Sequence, residues 1–225
     1  MLAITLTELL ARWDSKGGHP GTGELVNMDD YLRDPADPNC MCAQGQGLHF
    51  LGGITVEDLS GMPQHEADQR FADLLGISRA HSVLLRFIND GDERTPSIVL
   101  THPEKVLGGQ YQTVLAFWRH MDRMTSDQWA AADAAADAKA DAADYAAADA
   151  FDAAGAAVGF ASRNAVRISA EISAKISWAF AGNAARGATY EIQGAAIMRA
   201  KGQAFYFLPL FGFADPEAVL LADKA

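Results

Sequence analysis

The stretch Trp129–Val158, WAAADAAADAKADAADYAAADAFDAAGAAV, decides the fold class. Alanine has the highest intrinsic helix propensity, because its side chain loses no rotamer freedom and crowds no neighbouring turn. A run of this composition is therefore predicted to be helical before any tertiary contact forms. At about 100° per residue, Asp133, Asp137, Asp141, Asp144 and Asp152 fall within an arc of roughly 100°, with Asp149 just outside it. The helix thus carries one acidic stripe and a broad, smooth alanine face. Thr125-Ser126-Asp127-Gln128 supplies its start. A four-residue rhythm resumes in Ile168-Ser169-Ala170-Glu171, Ile172-Ser173-Ala174-Lys175 and Ile176-Ser177-Trp178-Ala179. Four exceeds the 3.6 residues of a turn, so this stripe drifts by about 40° per tetrad and wraps around the helix. Gly155 and Gly159 are the expected breaks, folding the stretch into a helical hairpin.

Helix signals continue on both sides. Thr5-Leu6-Thr7-Glu8 has capping-box spacing and predicts a short helix to about Trp13. Gly17–Gly23 and Asp34–Asn39 read as irregular. Thr55-Val56-Glu57-Asp58 opens another helix, and Pro63–Leu75 a longer one that Gly76 stops. Ser78 caps a helix carrying Val83, Leu84, Phe87 and Ile88, closed by Asn89-Asp90-Gly91. Pro96–Leu100 holds a short apolar run, expected as a strand or a buried extended link. Thr101-His102-Pro103-Glu104 reads as a capping box with proline in the first turn. Gln110–Met124 places Tyr111, Val114, Leu115, Trp118 and Met121 on one face of an amphipathic helix. Tyr190–Lys201 reads as a further helix. Pro209 and Gly212 argue against a central strand in the aromatic segment Ala204–Phe213. That segment is expected to be extended, closed by a short helix from Asp215.

The class is therefore all-α, with about nine helices and at most two short strands. The expected organisation is a compact helical body (1–125), an Ala/Asp-rich helical hairpin (126–189), and a C-terminal helix and aromatic tail (190–225) packing on the body as one cooperative domain. Although 49% of the residues are hydrophobic, alanine inflates that figure. The core must come from larger side chains outside the alanine-rich stretch.

Eighteen Lys+Arg against 29 Asp+Glu leave a net charge of −11. This opposes phosphate neutralisation on nucleic acids and docking on anionic membranes, and suits a partner with a basic surface. Met1–Leu10 lacks a basic leader and Glu8 interrupts its apolar run; no long apolar stretch is free of charge. Cys40 and Cys42 lie too close in sequence for an ordinary disulfide. A reducing cytoplasm is the expected location.

Several blocks resemble a family of alanine-rich proteins from actinobacteria and their phages. They are Leu9–Asp14, Cys40–Gly47, Gly76–His81 and Thr101–Lys105, with Glu191–Met198 and Phe211–Glu217 towards the end. The resemblance implies an accessory protein, in the host cytoplasm if phage-encoded, and carries no established activity. In that family the alanine-rich element is often punctuated by Arg or Trp between aspartates. Here Lys139 is the only basic residue of Trp129–Val158.

Three constellations carry chemistry. Cys40-Met41-Cys42 followed by His49 has the residue types of a nucleophilic pair or part of a metal site, although zinc wants four ligands and no second Cys pair exists. Small buried cysteines are the structural alternative. Phe71–His81 resembles a helix–glycine turn–helix, with Arg79, His81 and Arg86 expected on one exposed side for DNA contact. The stripe Asp133, Asp137, Asp141, Asp144 and Asp152 offers a docking strip for a basic protein, or is merely a solvated face. Gly17–Gly23 lacks the Gly-Lys-Ser/Thr ending of a phosphate loop. Asp29-Asp30 and Asp90–Glu93 lack calcium-loop spacing.

No metal and no cofactor are expected. The leading expectation is a non-enzymatic binding protein that captures a host protein or a small nucleotide ligand. The alternatives are a helix-turn-helix regulator, and an enzyme using Cys40 or Cys42 with His49. Close approach of alanine faces also allows a homodimer.

Overall fold

The computed structural model describes residues 4–15, 20–91, 96–125, 127–128, 131, 134 and 208–225. Every regular element among them is helical: ten α-helices and two 3-10 turns, with no strand. The chain divides into two units, Met1–Tyr111 and Gln112–Ala225.

The first unit contains α1 (Leu6–Asp14), α2 (Met28–Arg33), a 3-10 turn (Pro38–Cys40), α3 (Ala43–Phe50), α4 (Val56–Ser60), α5 (Gln64–Leu75), α6 (Arg79–Gly91), α7 (Ser97–Thr101) and α8 (Glu104–Leu107). Its centre is α3, which lies against α1, α4, α5 and α6 and buries every residue from Ala43 to His49. Two glycines permit that packing. A Cβ on Gly45 would lie 1.8 Å from the Leu25 carbonyl oxygen, and one on Gly47 would lie 2.2 Å from the Phe71 ring. The segment 21–27 consequently runs along the start of α3. Gly21 N donates to Met41 O at 2.7 Å, Asn27 N to Cys40 O at 2.7 Å, and Cys42 N to Glu24 O at 3.2 Å. Trp13, Leu48, Leu59, Phe71 and Leu85 fill the core around α3.

The expected capping signals are present. Thr5 and Glu8 exchange side-chain and backbone hydrogen bonds at the start of α1, and the Thr55 side chain accepts from Asp58 N at the start of α4. Gly76 ends α5 in the left-handed region at φ 65°. Ile77 N donates to Ala72 O and Gly76 N to Asp73 O, a Schellman end that turns the chain into α6. The Ser78 hydroxyl accepts from His81 N at 3.1 Å, as a cap should.

Two expectations in this unit are corrected. Ile98-Val99-Leu100 is neither strand nor extended link; it lies inside α7. Pro96 sits at φ −64°, ψ −18°, already helical. Ser97 donates to Asp14 of α1, while Thr101 Oγ1 donates back to Ser97 O at 2.9 Å. Thr101 is therefore committed to α7 and does not cap α8, whose N-cap position is Pro103, with no side-chain cap.

The second unit contains α9 (Tyr111–Arg123) from its second residue onward, a 3-10 turn (Leu208–Phe211) and α10 (Pro216–Asp223). The apolar stripe of α9 is buried at Val114, Phe117, Trp118 and Met121. Phe117 meets Phe211 edge-on with centroids 5.0 Å apart, and His120 meets Phe213 at 4.5 Å. The expectation of an extended aromatic segment is corrected where it is described: Leu208–Phe211 coils into a 3-10 turn, closed by Gly212 at φ 85°. The Asp215 side chain caps α10 by accepting from Ala218 N at 2.9 Å. Arg119 Nε donates to both carboxylate oxygens of Asp223, at 2.8 and 3.0 Å, which ties α10 to α9.

Candidate functional site

Around α3 the first unit encloses a polar network. Asp68, on the inward face of α5, is 1% exposed. Arg86 of α6 reaches it with two hydrogen bonds, Nε to Oδ1 at 3.2 Å and Nη2 to Oδ2 at 3.1 Å. Gln44 Nε2 donates to Asp68 Oδ1 at 2.7 Å and to Ser82 Oγ at 2.9 Å. An ionised carboxylate only accepts, so the Gln44 amide must point its nitrogen inward and its oxygen outward. That oxygen receives Gln64 Nε2 at 2.8 Å. The orientation of each amide is thus dictated by the carboxylate at the centre.

The cysteines lie at the start of the same helix. Cys42 is the N-cap of α3, and its sulfur accepts from Gly45 N at 3.4 Å. Burial pushes its thiol up to about 11. Burial, followed by the nearby Asp37 carboxylate, also raises the Cys40 thiol. Both are free thiols. His49 Nδ1 is engaged with Ile54 O at 2.7 Å, and its ring stands edge-on to Phe50. The thiolate is the nucleophile, so a raised pKa opposes reactivity. Among the described residues no group of three or more His, Cys, Asp or Glu side chains could hold a metal ion.

The expectation that Arg79, His81 and Arg86 share an exposed side is overturned. His81 is buried with Nε2 at 2.8 Å from Val99 O, and Arg86 turns inward to Asp68. The glycine turn between α5 and α6 is present, but α6 buries an unbroken run from Ala80 to Leu85. The side assigned to DNA is largely inside the body.

The stripe residues Asp133, Asp137, Asp141, Asp144 and Asp152 lie outside the described residues. Thr125 and Gln128, where the sequence places the start of that helix, lie within them. Thr125 N donates to Gln128 Oε1 at 2.8 Å, and Gln128 N donates to Thr125 Oγ1 at 3.3 Å. This reciprocal pair is the capping box that opens a helix.

Sequence reasoning missed two open clefts on the first unit. One, of about 590 Å³, lies between residues 23–29 and the α4–α5 region, lined by Glu24, Asp29, Leu59, Met62 and Gln64 among others. The second, of about 570 Å³, shares Met62 with the first and includes Asp58, Glu66 and Arg70. Arg70 is paired with Glu66 at 2.6 Å. Neither cleft has a periodic signature, because each is walled by loop backbone folded against short helices. Among the described residues no helix is long and apolar enough to cross a membrane.

No protein-family model matches the chain, and no curated protein and no solved structure matches it.

Proposed function

We propose that the chain is a non-enzymatic binding protein that presents Asp133, Asp137, Asp141, Asp144 and Asp152 to a protein partner with a basic surface. The carrying observation is the sequence spacing of the five aspartates, which would cluster them on one arc of a helix, in a chain of net charge −11. The Thr125–Gln128 capping box supports a helix starting where the sequence places it. Carboxylates spaced along a rigid helix attract a cationic surface at long range and fix its register at contact. In the phage-related setting that the resemblance suggests, such a stripe would act on or beside host machinery in the host cytoplasm.

The alternatives draw less support. The raised Cys42 thiol and the engagement of His49 Nδ1 oppose a cysteine nucleophile. The burial of His81 and the pairing of Arg86 remove two of three groups from a DNA-reading face. Among the described residues neither Lys, Arg nor His lines the larger cleft, which disfavours a nucleotide there.

The test is binding of a fluorescent lysine-rich helical peptide to three versions of the full chain. The first is the parent. The second replaces the five stripe aspartates by asparagine. The third makes five charge-matched changes at exposed carboxylates elsewhere: Asp34→Asn, Asp37→Asn, Glu57→Gln, Asp73→Asn and Glu217→Gln. With exposed ion pairs contributing about 0.2–1 kcal/mol each, the stripe variant is expected to lose on the order of tenfold in affinity and most of its salt dependence. The control variant is expected to bind nearly as well as the parent. Equal losses in both variants, or none in the stripe variant, would overturn the proposal.

A further inference from the structure

We propose that residues 21–27 form a strap, latched by Asn89 and Asp90, that lifts off as one piece and uncovers Cys42 while the helices of the first unit stay folded. The strap belongs to no helix and crosses the start of α3. Three backbone hydrogen bonds hold it there: Gly21 N to Met41 O, Asn27 N to Cys40 O, and Cys42 N to Glu24 O. Its other hold comes from the end of α6. Asp90 Oδ1 accepts from Gly23 N at 2.9 Å. Asn89 Nδ2 donates to Gly21 O at 2.8 Å and to Asp90 Oδ1 at 2.9 Å. The two side chains therefore act as one latch, and loss of either weakens the grip on the strap.

Local opening is cheapest where few apolar groups are buried and the chain is open to solvent on one flank. The strap meets both conditions. Only Leu25 and Val26 are buried, whereas Thr22, Gly23, Glu24 and Asn27 are exposed. The helix that follows, α2, buries no residue and so does not pin the strap from its far end. One flank borders the open cleft of about 590 Å³. By contrast α3, α5 and α6 pack directly on one another, around Leu48, Phe71 and Leu85. That packing survives when the strap leaves.

The seat of the strap is also the cover of Cys42. The Leu25 carbonyl abuts Gly45, where a Cβ would come within 1.8 Å of its oxygen. Cys42 Sγ accepts from the N–H of that same Gly45. Burial, with a smaller contribution from Asp90, keeps the thiol protonated. Lifting the strap admits water to the sulfur and removes the larger of these two causes. Cys42 is thus masked by a removable piece of backbone, and its reactivity reports the position of the strap.

The experiment uses the full chain with Cys40→Ala, so that Cys42 is the single thiol, and follows amide hydrogen exchange beside iodoacetamide labelling. The amides of Gly21, Gly23, Asn27 and Cys42 are expected to exchange as a group, at least about tenfold faster than Phe71 and Ala72 of α5 after correction for intrinsic rates. Below about 1 M urea that group should respond weakly to denaturant, because little surface is exposed when it opens. Asp90→Ala is expected to speed the group at least about tenfold without a matching change in α5, since it removes hydrogen bonds to a charged acceptor. Asn89→Ala, which leaves the charge unaltered, should act in the same direction and separates opening from a change in thiol ionisation. Labelling of Cys42 should follow the strap amides in every variant. Exchange of the strap amides at the rate and urea dependence of α5 would overturn the proposal. Equal acceleration of strap and α5 in both variants would do the same, because the latch would then only support global stability. Labelling that follows α5 rather than the strap would show that the strap does not cover the thiol, and the proposal would fall on that result too.

Discussion

Four donor contacts converge on the Asp68 carboxylate inside the first unit: two from Arg86, one from Gln44 and a longer one from Gln64 at 3.4 Å. A buried ion pair is a weak source of net stability, yet breaking one half is costly because the remaining charge is left uncompensated. Arg86→Met is expected to destabilise the protein by about 3 kcal/mol or more, read from urea unfolding. Adding Asp68→Asn should restore part of that loss by removing the stranded charge. A double variant as unstable as the sum of its singles would show that the pair does not act as a unit. Cys42 is the second residue whose environment decides its chemistry. With its thiol pushed up to about 11, only about one molecule in several thousand carries the thiolate at about pH 7.5. Iodoacetamide is therefore expected to leave the native protein almost unlabelled for hours and to react within minutes in urea. Rapid stoichiometric labelling of the native protein would reinstate the cysteine enzyme.

At the scale of elements, what can be read in the sequence depends on whether the signal is local. The α1 cap needs only Thr5 and Glu8, the α5 stop needs only Gly76, and the α9 face needs only apolar periodicity. All three are visible in short windows. The central helix α3 escapes such reading, because Gly45 and Gly47 lower its propensity and its burial on nearly all sides erases any polar face. Its glycines make sense only once Leu25 and Phe71 are seen against them. Likewise α7 reads as a strand because its centre is the apolar run Ile98-Val99-Leu100, while its contact with Asp14 comes from a distant part of the chain. Gly45→Ala is expected to cost about 3 kcal/mol, since the new Cβ would meet backbone and cannot be relieved by a rotamer change. Gly61→Ala provides the contrast. Gly61 sits at φ −98° and a Cβ there meets nothing within 4 Å, so the change is expected to be neutral or stabilising by about 0.5 kcal/mol. Thermal melts of the two variants check both expectations, and similar melting temperatures would mean that α3 has room that the packing denies.

Across the whole molecule, the net charge of −11 can be read from composition alone, whereas the cleft requires the fold. Its walls come from separate segments that only the packing of α3 brings together. The same placement gives the two units different pH responses. In the first unit Cys42 titrates upward on folding, from 9.0 to about 11, chiefly through burial. A group with a raised folded pKa contributes stability that is complete below its unfolded value and lost as pH rises through the folded one. Alkaline weakening from about pH 9 to 11 is therefore expected around α3, and Cys42→Ala should reduce it. In the second unit burial lowers His120 below its ordinary 6.5, only partly opposed by its hydrogen bond with the Phe211 backbone, while Arg123 lowers it further. Here the neutral form is favoured by folding, so stability is complete above the unfolded value and falls as pH drops below about 6.5. The Asp223 carboxylate, lowered mainly by its hydrogen bonds with Arg119, weakens the same unit only at more acidic pH, below its ordinary 3.8. Hydrogen exchange corrected for intrinsic rates separates these effects. Between about pH 7.5 and 5.5, protection of α9 amides is expected to fall in the parent and to fall less in His120→Gln, with α3 protection equal in the two proteins. An identical fall in α9 for parent and variant would remove His120 as the acid-sensitive group of the second unit.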